Sequence, residues 1–111
     1  MLPENLTAIV ARNETWTGEA STEPYEAGWA KEAIVFVRAL KQPKGSLPKA
    51  RIEISADGMH WCPEGSEFAL PREKDAVSFQ RLSHFGNFVR VAASLPPGAE
   101  VVVLVTLHLK A

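Results

Sequence analysis

The stretch Ile54-Ser55-Ala56-Asp57-Gly58-Met59-His60-Trp61-Cys62 gathers an acid, an imidazole and the chain's one thiol in a short span. In an extended segment His60 and Cys62 share one face. They would supply two of the three or four ligands that a zinc site takes. The remaining histidines, His84 and His108, stand at no ligand spacing, so no metal site is expected. Neither aspartate, Asp57 or Asp75, is followed by a nucleophile elbow or a Cys/His signature. Cys62 reads as a small hydrophobe. The 11 glutamates sit mostly in polar turns, where solvation accounts for them better than a carboxylate pair for glycoside cleavage does. With no Gly-rich phosphate loop either, neither an enzyme nor a cofactor is expected. Asp57-Gly58 between two β-prone runs is a hairpin signal, because Gly accepts positive φ and Asp tolerates it. Trp61 then opens the return strand, its ring covering the end of the core.

Aromatic rings offer a second chemistry. Trp16, Trp29 and Trp61, if exposed on a β-sandwich, could stack on sugar rings, which would make the chain a carbohydrate-binding module. Buried, the same rings plug core ends or support loops.

The elements that must hold these residues follow a period close to two. In Ala50–Ala56 the residues Ala50, Ile52, Ile54 and Ala56 alternate with Arg51, Glu53 and Ser55. Val89, Val91, Ala93 and Leu95 repeat that pattern, and Val77 with Phe79 gives a weaker instance. Turn signals recur between the runs at Pro43-Lys44-Gly45, Asp57-Gly58, Pro63-Glu64-Gly65, Phe85-Gly86-Asn87 and Pro96-Pro97-Gly98. Pro24–Lys41 has helix-forming residues, but Gly28 interrupts it and Ala33–Leu40 is dense in Ile, Val and Phe. It reads as a loop feeding a strand. The expected fold is an antiparallel β-sandwich, jelly-roll or Ig-like, of about seven or eight strands. Residues 1–111 form one domain, with 1–14 an N-terminal arm or edge strand.

Two strands are apolar on both faces. Ala33–Leu40 sets Val35, Val37 and Ala39 against Ile34, Phe36 and Leu40. The terminal run sets Val101, Val103, Val105, Leu107 and Leu109 against Val102 and Leu104, before turning polar through Thr106, His108 and Lys110. Ile34, Phe36, Leu40, Val102 and Leu104 therefore need a cover, from the chain itself or from a partner subunit. A small homo-oligomer is the favoured expectation.

Composition narrows the partners. Of 111 residues 46% are hydrophobic, enough for a core, and the formal charge is −1 from 12 basic and 13 acidic residues. No basic stripe or acidic tail appears, which argues against nucleic acid. Cys62 alone makes no internal disulfide, in keeping with a reducing compartment. The first residues lack the basic and long apolar regions of a signal peptide. The longest apolar run, Val101–Val105, is far short of the roughly 20 residues that span a bilayer, so no membrane partner is expected.

Ser55-Ala56-Asp57-Gly58-Met59-His60-Trp61 resembles the Ser-x-Asp-Gly-x-x-Trp hairpin of discoidin-like and other β-sandwich modules. It is followed by Phe85-Gly86-Asn87-Phe88-Val89-Arg90-Val91, a Pro/Gly turn and a Val/Leu-rich terminal strand. That order, over roughly residues 15–111, resembles small β-sandwich proteins of bacteriophage structural-gene regions. Asn87 and Phe88 stand where those proteins often carry Arg-Tyr. The resemblance implies a non-enzymatic virion component assembled in the host cytoplasm, a capsid decoration or cement protein with capsid subunits as partners.

Overall fold

The computed structural model describes residues 5–111, which contain nine strands and no helix. They are β1 (Asn5–Trp16), β2 (Glu19–Ser21), β3 (Tyr25–Glu26), β4 (Glu32–Ala39), β5 (Lys49–Ser55), β6 (Cys62–Ala69), β7 (Val77–Ser83), β8 (Phe88–Ser94) and β9 (Val101–Lys110). All pairings are antiparallel. One sheet runs β1-β9-β4-β7 and the other β2-β8-β5-β6, with β3 also paired to β8. The expected antiparallel sandwich is the observed one. The strand count exceeds expectation because β2 and β3 are fragments of one edge, along successive parts of β8. The buried Thr22 spans the break between them: its N–H donates to Val91 O at 2.9 Å, and Val91 N–H donates to its Oγ1 at 3.1 Å.

The core lies between the sheets. The first contributes Val35, Val37 and Ala39 of β4 and Val101, Val103, Val105, Leu107 and Leu109 of β9. The second contributes Ala50 and Ile52 of β5 and Val89, Val91 and Ala93 of β8. Each set is one parity of its strand, as the alternation in the sequence requires.

Two expectations are corrected. Pro63-Glu64-Gly65 is not a turn; it lies within β6, where the ladder with β5 shifts register and Gly65 takes φ 114°. A bulge uses the same residue types as a turn, so composition cannot separate the two. Val77 and Phe79 do not form the inward parity of β7. They are 55% and 50% exposed, and the inward parity holds Ser78, Gln80 and the buried Leu82. Of the proposed N-terminal arm, Asn5 onward is β1, an edge strand on β9, and the preceding part lies outside the described residues.

Candidate docking face

The outer face of the first sheet is assembled by register. Phe36 stands between Thr106 and Phe79, and Thr106 pairs in turn with Ile9, which makes a row across all four strands. Arg38 lies between Leu104 and Val77 on one side of that row; Ile34 lies between His108 and Arg81 on the other. The Phe36 and Phe79 rings are 6.3 Å apart and tilted by 38°, a favourable aromatic contact. The Arg81 guanidinium sits 5.1 Å over the Phe79 ring.

Of the residues the sequence nominated, Ile34, Phe36 and Leu104 are half-buried in this face. Leu40 N–H donates to Val102 O at 2.8 Å; Leu40 is half-buried, while Val102 is 8% exposed and mostly covered already. The sequence reading omitted Ile9, Val77 and Phe79, all of which are exposed on the same face. For Val77 and Phe79 the signal is the alternation itself, which does not say which parity faces the core; Ile9 carries no comparable signal.

Two charged side chains, Arg38 and Arg81, stand among these apolar residues. At one end Glu32, Arg81, His108 and Lys110 line a shallow pocket beside Ile34. At the other, Arg38 donates to Asp75 Oδ1 at 2.9 Å, and that hydrogen bond holds the Asp75 carboxyl below its usual range.

The outer face of the second sheet is different. Glu53 accepts from Arg51 Nε at 2.9 Å and from Arg90 Nε at 2.7 Å. Burial pushes the Glu53 carboxyl up, but the two guanidinium hydrogen bonds and their charges outweigh it and the net shift is downward. Arg51 also donates to Ser94 Oγ, which donates to Glu19 Oε2 at 2.9 Å. This face satisfies itself with ion pairs.

The opening motif is a loop at the end of the β5–β6 hairpin. Ser55 Oγ accepts from the N–H groups of Asp57 and Gly58 at 3.2 and 2.8 Å. Asp57 Oδ1 accepts from the N–H groups of Met59 and His60 at 2.8 and 2.9 Å, and Asp57 Oδ2 lies 2.7 Å from His60 Nδ1. The backbone bond from His60, its ring bond, the Met59 N–H and the Ser55 hydroxyl together hold the Asp57 carboxyl far below the ordinary carboxylate range. Asp57 thus organises its own turn. Cys62 is exposed and directs its thiol toward Ile54 O at 3.6 Å. Among the described residues no three of His, Cys, Asp and Glu converge as metal ligands, and no helix is long and apolar enough to cross a membrane.

The tryptophans are separated in role. Trp16 is 2% exposed and belongs to the core, so it presents no face to a sugar. Trp61 does not cover the core end; it is half-buried under Arg90, whose guanidinium lies 4.2 Å from the ring centre. Only Trp29 of the three remains open, at 40% exposure.

No family model and no curated protein matches the chain. Among solved structures, the SPBc2 prophage-derived protein YomS superposes with a TM-score of 0.66 at 9% identity, over 100% of this chain and 96% of that one. A chain of the disulfide-linked pili of Bacillus endospore appendages superposes with a TM-score of 0.52 at 9% identity, over 98% and 90%. A CBM32 module from Clostridium perfringens, in complex with GalNAc-β-1,3-galactose, reaches a TM-score of 0.45 at 14% identity, over 93% and 94%. At such identities the likeness to the first two is one of fold, and a phage-derived chain and a pilus chain share this sandwich.

Proposed function

We propose that this chain is a non-enzymatic structural protein of a phage-like particle, a decoration or cement protein that docks on capsid subunits through the outer face of its first sheet. The observation that carries this reading is the contrast between the two outer faces. One is closed by its own ion pairs; the other leaves Ile9, Phe36, Val77, Phe79 and Leu104 without a cover from the described chain. Exposed apolar side chains grouped on one sheet face, with the arginines Arg38 and Arg81 among them, suit a protein contact. The shared fold with a prophage-derived protein supports the setting, and the residence is then the virion.

Particles purified by density gradient from the source cells should carry the chain. Phe36→Ser with Leu104→Ser should leave a folded protein in the unbound fraction. A double variant that stays on particles as well as wild type would refute docking by this face.

A further inference from the structure

The four sheet edges are unequally protected. β1 breaks its ladder with two register shifts, sets Asn13 at φ 52° and carries Arg12 and Glu14. β2 and β3 are three and two residues long, with Pro24 next to them. β6 holds Pro63, the positive-φ Gly65 and two glutamates. Bulges, short strands, prolines and charges are the devices that stop edges from pairing with other chains. β7 has the fewest of them. Its seven residues run unbroken on β4 alone, without proline or glycine, and Arg81 is their single charge.

We propose that β7 pairs with β7 of a second copy, antiparallel about a two-fold axis through Gln80, joining two four-stranded sheets into one of eight. The proposal rests on the reading of the adjacent face as the docking surface. Residues opposite each other in an antiparallel pair share a face, so the axis must pass through a residue. Arg81 at the axis would oppose like charges. Phe79 at the axis would leave one end of each strand unpaired. Gln80 is the centre of Val77–Ser83, so all seven residues pair. Phe79 then meets Arg81 of the second copy on the outer face, repeating between chains the stacking already made within one. On the inner face Gln80 meets its own copy, and its amide, which donates to Arg81 O at 3.0 Å in the single chain, must turn to reach it. Across the sandwich the neighbouring edge β6 is blunted, which confines the joining to the first sheet.

Joining across β7 also enlarges the docking face. Strands about 4.8 Å apart, with some six residues each at about 3.4 Å, give one outer face roughly 400 Å². A stable partner interface covers roughly 800 Å² a side. Two faces fused across β7 would offer a partner twice the area of one.

Sedimentation across a concentration series reaching the millimolar range tests this, with circular dichroism confirming that each variant is folded. Wild type should dimerise. Phe79→Lys, which sets a lysine against Arg81 of the second copy, should run as a monomer. Phe79→Glu should restore a cross-strand ion pair and give a dimer that dissociates as salt is raised. A wild type that stays monomeric overturns the pairing, and so does equal loss of the dimer in both variants. Recovery on particles is scored separately. A monomeric wild type found on particles defeats only the self-pairing, and a dimer absent from them supports it while defeating the docking reading.

Discussion

Asp57 shows how a reactive-looking residue is consumed by structure. Its carboxylate takes two backbone N–H bonds and faces the His60 ring, so the charged form is the one the turn requires. A carboxyl whose folded pKa is depressed contributes stability above its unfolded value, about 3.9, and loses it as pH falls through the folded value. In melts across an acid series, wild type should therefore lose melting temperature faster than Asp57→Asn, the two converging at the lowest pH. The loop is solvent-exposed, so the difference should be small. The tryptophans give a sharper contrast. Trp16→Ala empties a core site and should cost about 3–5 kcal/mol. Trp61→Ala removes a half-buried ring and its Arg90 contact, and should cost nearer about 1 kcal/mol. Denaturant unfolding of both variants checks the order.

At the scale of elements, the loop before β5 and the loop before β9 are pressed together. Lys44 and Glu100 exchange both backbone hydrogen bonds at 2.9 Å. Gly45 sits at φ 74°, and a Cβ there would fall 2.6 Å from Gly98 O and 2.8 Å from Ala99 Cα. Both obstacles are backbone and cannot step aside. Gly18, at φ 57°, has nothing within 4 Å of the equivalent position. Gly18→Ala should then cost only the left-handed strain, about 1–2 kcal/mol. Gly45→Ala should cost more, by calorimetry or denaturant melts, because two loops must separate. The same contrast between local and tertiary causes explains what the sequence disclosed. In β8, β9 and the first part of β5 the inward parity is apolar, so alternation placed those core residues; at the end of β5 it fails, because Ser55 is buried by its turn bonds and Ala56 is exposed. β7 lies at the rim of the sandwich, where inward positions tolerate Ser78 and Gln80, and its apolar parity faces out. β1 loses its period at two register shifts, so nothing local could say that Trp16 turns inward.

For the whole molecule, the decisive property is that burial was assigned by pattern while covering was not. Ala33–Leu40 and Val101–Lys110 announced two apolar faces each, and the sequence could not say whether chain or partner covered the second. Among the described residues every strand belongs to one of the two sheets, and none lies over Ile34, Phe36 and Leu104. These side chains are already half-covered by their neighbours within the sheet, so truncating them removes only part of a full burial. Phe36→Ser with Leu104→Ser should retain the wild-type circular dichroism spectrum and lose about 1–3 kcal/mol in all, from roughly 25 cal/mol per Å² of the apolar area removed. Ile52→Ala, in the core of the second sheet with no exposure, should cost about 2–5 kcal/mol by itself. Chemical denaturation ranks the two. Should the double variant unfold while Ile52→Ala survives, the face would be part of the chain's own core. The expected order is that of a face on the outside of the sandwich.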